Sequence, residues 1–143
     1  MAQPSPRLIE LARRIVAQEA GGKPDPAASA ATVETACRKL SDELVDSLGS
    51  GGVSALFRRA LHLAQREQPL LAAVAVSGEP AACFFTGLAE SLAASTDEEA
   101  TVAAASVLTH VLDLLVILLG EELGMKPIRE IWTQATSARE SNE

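Results

Sequence analysis

The residues best suited to chemistry in this chain are His110 and Asp113, three positions apart inside the apolar stretch ATVAAASVLTHVLDLLVILL (100–119). On a helix this spacing places both side chains on one face, together with Ser106 one turn earlier. A carboxylate that binds one imidazole nitrogen fixes the tautomer of the ring and can orient the other nitrogen as a general base. Ser106, His110 and Asp113, the polar seam, are therefore the candidate site.

The polar seam also allows a purely structural role, in which Asp113 satisfies His110 or both side chains face solvent at a groove. No nucleophile lies beside the pair in the sequence. We therefore assign no catalytic residue and expect a non-enzymatic protein, with a small-molecule pocket or small enzyme at His110 and Asp113 as the alternative.

The histidines and cysteines do not form a metal or cofactor motif. His62 and His110 are the only two histidines, and neither H-E-x-x-H nor Glu-x-x-His occurs. Cys37 and Cys83 are isolated in the sequence, so we expect both to be buried reduced thiols. A disulfide between them is the alternative. We expect no metal and no cofactor.

A third possibility is DNA binding, because Gly52-Val53-Ser54 followed by Arg58-Arg59 is similar to the turn of a helix-turn-helix. In that register Arg58 falls on a position that should be buried. The net charge of −7 also disfavours phosphate binding. Residues 69–143 carry three Lys or Arg against eleven Asp or Glu, so we expect them to attract the more basic first half rather than a nucleic acid.

The polar seam must be positioned by a long helix, predicted at about residues 97–123. Thr96 and Glu99 form a capping-box pair at its start, and Gly124 followed by Pro127 predicts its end. Leu114 to Leu119 are six apolar residues in succession, so we expect protein neighbours on every side of the helix. His110 and Asp113 near its middle disfavour a membrane span.

Around this central helix the sequence predicts an all-α, single-domain bundle of about six helices over residues 1–143. Helices are predicted from Pro6, from Pro26 to Leu48, after a glycine loop at 49–52, from Pro80 and from about Pro127. A short buried helix is predicted at residues 70–76, where a strand would lack a partner. The ends at about 1–4 and 139–143 are expected to be loose.

Several helices have broad apolar faces, and Gly120 and Gly124 predict either a close helix approach or a kink followed by a C-cap. A symmetric homodimer is the commonest way to cover such faces. The leading hypothesis is a cytoplasmic homodimer that docks a protein partner, without nucleic acid or membrane. Its candidate interface residues are Leu114, Leu118, Ile128, Ile131 and Trp132.

Overall fold

The computed structural model describes residues 6–19, 26–76 and 85–132. Over these ranges the chain forms an all-α bundle, as predicted. Its α-helices are α1 (Pro6–Glu19), α2 (Pro26–Glu67), α3 (Leu88–Ala93), α4 (Asp97–Leu119) and α5 (Glu121–Ile131). A 3-10 helix (Pro69–Leu71) and two strands, β1 (Ala75–Val76) and β2 (Phe85–Thr86), connect α2 to α3.

Helix α4 begins at Asp97 as predicted, because Thr96 and Glu99 cap it reciprocally. The Glu99 backbone N–H donates to Thr96 Oγ1 at 3.1 Å, and the Thr96 backbone N–H donates to Glu99 Oε1 at 3.1 Å. Asp97, Glu98 and Glu99 place negative charge on the first turn, where the helix dipole is positive. The start of the helix is therefore determined by local sequence.

Helix α4 is the centre of the bundle and packs mainly against α2, α1 and α5. Most residues from Ala103 to Leu112 are buried on it. The expectation of protein on every side is wrong for the last turns. Of the six apolar residues from Leu114 to Leu119 only Leu115 is fully buried, while Ile117 is 68% and Leu118 61% exposed.

The predicted end of α4 at Gly124 is also wrong. Gly120 breaks the helix at φ 85°, a left-handed conformation that favours glycine, and α5 starts at the next residue. Gly124 lies inside α5, where a Cβ atom would be 2.8 Å from Leu115 O. Its role is the close approach of α5 to α4, and Pro127 is accommodated inside α5.

The glycine loop predicted at residues 49–52 is reduced to one residue. Gly49 adopts φ 75° and ψ 163° inside α2, and helical conformation continues on both sides of it. This region of backbone space is populated almost only by glycine. One residue therefore divides α2 at the predicted place, without a loop.

Residues 70–76 do not form the predicted helix. After the 3-10 helix, β1 pairs antiparallel with β2, which supplies the partner that the sequence analysis did not find. Gln65 Nε2 donates to Leu71 O at 3.0 Å and to Val74 O at 2.8 Å, and Phe85 N donates to Glu34 Oε2 at 2.8 Å. Side chains of α2 thus hold β2 and the segment that leads into β1.

The helix predicted from Pro80 is shorter where the structure describes it, because β2 precedes α3. Its first residues, with Cys83, lie outside the described residues, as do the predicted loose ends. The described core is mostly aliphatic, and Phe57 meets Phe85 with ring centroids 6.1 Å apart. Cys37 is a free, fully buried thiol in this core.

Candidate functional site

The centre of the candidate site is a carboxylate that the sequence analysis missed, Glu67, the last residue of α2. Its Oε1 accepts a hydrogen bond from Ser106 Oγ at 3.2 Å and lies 3.1 Å from His110 Nε2. Ser106 and His110 are one turn apart on α4 and so reach the same oxygen. The structure thus brings two members of the polar seam together around a residue from another helix.

A sequence signal for Glu67 exists but is weak. A carboxylate in the last turn of a helix faces the negative end of the helix dipole, which is unfavourable by a few tenths of a kcal/mol or more. Two donors from α4 compensate for this position. The separation of 43 residues between Glu67 and His110 leaves no spacing rule that could have paired them.

The hydrogen bond to Glu67 determines the tautomer of His110. An ionised carboxylate only accepts, so Nε2 carries the proton, and in the neutral ring Nδ1 is then an acceptor. His110 is 5% exposed, and its Nδ1 has no hydrogen-bond partner among the described residues. The Nδ1 atom is thus a buried acceptor without a partner in that part of the chain.

Asp113 is not the acceptor for His110 Nε2. Asp113 is half-buried on α4. Partial burial raises the pKa of its carboxyl above the usual value, and the nearby His110 opposes that shift. Burial is the larger of the two causes. Asp113 is therefore a neighbour of the Glu67 and His110 pair.

An open cleft of about 230 Å³ lies against this pair, between α1, the end of α2 and α4. Its polar lining includes Arg13 from α1, Gln68 from the turn after α2, and Glu67, Ser106 and His110. The cleft is where a small molecule would reach the pair.

The arrangement does not form a nucleophilic triad. In such a triad the hydroxyl donates to the imidazole, which then takes its proton. Here the hydroxyl of Ser106 and Nε2 of His110 both point at the same Glu67 oxygen. Neither prepares the other for attack, so the geometry suits binding more than covalent catalysis.

No group of three His, Cys, Asp or Glu side chains is placed to hold a metal ion within residues 6–19, 26–76 and 85–132. His62 is exposed on α2. Arg58 and Arg59, the basic residues of the possible helix-turn-helix, are also exposed. Within α2, the chain before them contains one non-helical residue, Gly49, and no turn. A helix-turn-helix needs a turn of three or four residues, which this part of the chain does not provide.

The candidate interface residues separate into three groups by burial. Ile128 and Trp132 are fully buried within the chain, and Leu114 and Ile131 are partly buried against its core. Ile128 and Trp132 are thus core residues of the chain, and their role in an interface stays a prediction. Leu118 alone of the five is mostly exposed.

Leu118 is one of three exposed apolar residues where α4 ends and α5 begins, Ile117, Leu118 and Leu123, which we call the apolar corner. These side chains lie on either side of the Gly120 break and are 68%, 61% and 63% exposed. Large apolar side chains this exposed and this close in the chain are typical of interaction surfaces.

Helix α4 is long and apolar enough to span a membrane, the one such helix in the described part of the chain, and 56% of its most apolar window is buried. The core helix of a soluble bundle has the same properties. Its large exposed apolar side chains are Val102 near the start of the helix and Ile117 and Leu118 near its end.

Comparison of the chain with protein-family models, with curated proteins and with solved structures finds no match.

Proposed function

We propose that this protein is a non-enzymatic helical interaction module whose apolar corner docks an amphipathic helix of a protein partner. The observation that carries the proposal is the exposure of Ile117, Leu118 and Leu123 where α4 ends and α5 begins. Burying most of one such side chain contributes roughly 1.5–2 kcal/mol. Three together supply the anchors that helix recognition uses.

The corner is a stable platform because the α4 and α5 hairpin beneath it is tightly packed. Gly124 brings the backbone of α5 against Leu115 and Val116 of α4, and Gly120 supplies the sharp turn. Leu115 and Ile128 are fully buried beneath. A preorganised surface loses less conformational entropy when a partner binds.

The charge around the corner favours a basic partner. Glu121 and Glu122 are exposed on the first turn of α5, between Leu118 and Leu123, and the nearby exposed cation is Lys126. Residues 69–143 carry a balance of −8. A helix with an apolar stripe and flanking Lys or Arg would match both features, since complementary charges increase association rate and specificity.

A second copy of the chain is the alternative occupant. The homodimer predicted from the sequence remains a prediction. Three side chains make a small interface, since stable dimers bury roughly 800 Å² on each partner. The acidic rim would also be repeated on both copies, which favours a different, basic partner.

We also propose that the protein works in the cytoplasm. Two features support this location: α4 is more than half buried in protein, and Cys37 is a buried free thiol. Neither feature requires a membrane or an oxidising compartment.

The test uses two synthetic helical peptides with the same leucine stripe, one with Lys and one with Glu on the polar face. Fluorescence anisotropy should show that the Lys peptide binds and the Glu peptide binds at least tenfold more weakly. Leu118→Glu or Ile117→Glu should weaken the Lys peptide at least tenfold, because a charge then replaces a buried anchor.

The matched control is Val45→Glu, which puts the same charge on an apolar residue of α2 that is 39% exposed and far along the chain from the corner. It should leave binding unchanged. An equal loss in Val45→Glu, or no binding of the Lys peptide at millimolar concentration, would overturn the proposal. So would sedimentation that shows a dimer dissociated by Leu118→Glu, because a second copy would then occupy the corner.

A further inference from the structure

The cleft beside His110 contains two opposite charges that do not neutralise each other. Arg13 and Glu67 both line it, yet they do not form an ion pair with one another. Arg13 makes no hydrogen bond or ion pair with any residue in the described part of the chain. Its neighbour on α1, Arg14, instead pairs with Glu10 at 3.5 Å.

One carboxylate oxygen of Glu67 accepts hydrogen bonds, and the other has no partner among the described residues. Both of its hydrogen bonds, from Ser106 and His110, end on Oε1. The two donors hold the carboxylate in place, and Oε2 has no partner among the described residues. The Glu67 side chain is 48% exposed, so a ligand can reach this oxygen.

An apolar wall completes the cleft. Ile9 and Val102 are 38% and 41% exposed, although both are large aliphatic residues, and buried Ala105 also lines the cleft. An aliphatic group placed between Ile9 and Val102 would remove apolar surface from water on both sides.

We propose that this cleft binds a small zwitterion of the α-amino acid class that has a short aliphatic side chain. The ammonium group would bind Glu67 Oε2, the carboxylate would bind Arg13, and the side chain would lie against Ile9 and Val102. This site is separate from the apolar corner and does not depend on it.

A zwitterion fits better than a ligand with one charge. A cation at Glu67 would be repelled by Arg13, and an anion at Arg13 would be repelled by Glu67. A ligand with both charges satisfies each residue and leaves neither unpaired. The cleft would therefore prefer a zwitterion, because a molecule with one charge is repelled by the residue of like charge.

The size of the cleft favours a small metabolite. Pockets for drug-sized ligands measure roughly 300–1,000 Å³. At about 230 Å³ this cleft is smaller and open to solvent on one side. Leucine is therefore the probe of choice, because its side chain can cover Ile9 and Val102 without exceeding the available space.

The experiment is titration calorimetry on the full chain with three probes of the same carbon skeleton: L-leucine, L-leucinamide and 4-methylpentanoate. The first is a zwitterion, the second a cation and the third an anion. L-Leucine should bind at least fivefold more tightly than the other two. No binding of L-leucine at 20 mM, or equal binding of all three, would overturn the proposal.

Two variants assign the charges. Arg13→Gln should weaken L-leucine at least fivefold and make it equal to L-leucinamide, since the carboxylate loses its partner. Glu67→Gln should make L-leucine equal to 4-methylpentanoate. Arg14→Gln is the matched control on α1 and should leave all three affinities unchanged.

Val102→Trp tests the apolar wall, because the indole should fill the cleft and abolish L-leucine binding. Thermal melting of every variant establishes that it is folded. Leu118→Glu should retain L-leucine binding, which separates this site from the apolar corner. Unchanged affinity in both Arg13→Gln and Val102→Trp would place any leucine binding elsewhere and contradict the proposal.

Discussion

Glu67 Oε1 lies 3.1 Å from His110 Nε2, and this contact joins the end of α2 to the middle of α4 across 43 residues of sequence. The same oxygen also accepts from Ser106. One half-exposed carboxylate thus pairs with Nε2 of a buried imidazole and orients the ring. The candidate cleft is built against this contact.

The contact should contribute measurably to stability. Glu67→Ala removes the acceptor for Ser106 and His110, which should lower the free energy of unfolding by about 1–2 kcal/mol. Glu67→Gln keeps an acceptor oxygen and should cost less than half as much. Urea denaturation at pH 7 measures both. Glu43→Ala, at an exposed position on α2, is the control and should stay within about 0.5 kcal/mol of wild type.

Asp113 should make stability depend on pH. Burial raises the pKa of its carboxyl in the folded state, so the folded chain binds the proton more tightly than the unfolded chain. Stability from this group is present below the usual Asp pKa and is lost as pH rises through the raised folded pKa. Asp113→Asn should therefore be more stable than wild type at pH 7, by less than about 1 kcal/mol because the group is mostly solvated.

This advantage of Asp113→Asn should disappear at acid pH, where both states of the wild-type carboxyl are protonated. Denaturation curves of both proteins between pH 3 and pH 8 measure the difference in their free energies of unfolding. His110→Ala should raise the Asp113 pKa further, because His110 opposes the shift. An advantage that does not change with pH would show that Asp113 is not the cause.

Gly124 and Gly51 should respond oppositely to alanine. A Cβ atom at Gly124 would lie 2.8 Å from Leu115 O and Val116 Cα, which are backbone atoms that cannot turn aside. Gly124→Ala should cost about 1–3 kcal/mol. Gly51 has open space around it on a helix, so Gly51→Ala should stabilise by about 0.5–1 kcal/mol. Thermal melting of the two variants would contradict this packing if they shifted the midpoint in the same direction.

The thiol of Cys37 should be unreactive in the folded protein. Burial raises its pKa far above the usual value, and the nearby Glu34 raises it further. Thiolate is the reactive form. In a Cys83→Ser background, which leaves one thiol, an aromatic disulfide reagent should react at pH 8 only after urea unfolds the chain. Fast reaction of the native protein would show that α2 opens around Cys37.

The sequence predicts local features of this fold well and long-range ones poorly. The start of α4 follows from Thr96 and Glu99, which are three residues apart. The end of α4 does not follow from local sequence, because the helix could end at Gly120 or at Gly124. The packing of α5 against Leu115 decides which glycine ends it. The two residues of β1 pair with residues 11 and 9 positions away, the acceptor for His110 lies 43 positions away, and no periodicity encodes these contacts.

The sequence analysis did not predict the exposure of Ile117 and Leu123, for a related reason. Six consecutive apolar residues indicate burial on every side, and whether neighbours cover them depends on where the other helices end. Helix α5 turns back at Gly120 and covers one side of α4 only, so Ile117 and Leu118 emerge. Among the candidate interface residues, Leu118 is the one that is mostly exposed.

The most direct test of the interaction surface is NMR of the methyl groups of Ile and Leu in the folded chain. With a soluble paramagnetic agent, the methyls of Ile117, Leu118 and Leu123 should broaden strongly, and those of Leu115 and Ile128 should not. Addition of the Lys peptide should shift the same three and protect them from the agent. Methyls of the apolar corner that are protected in the free protein, or unaffected by the peptide, would contradict the proposed docking surface.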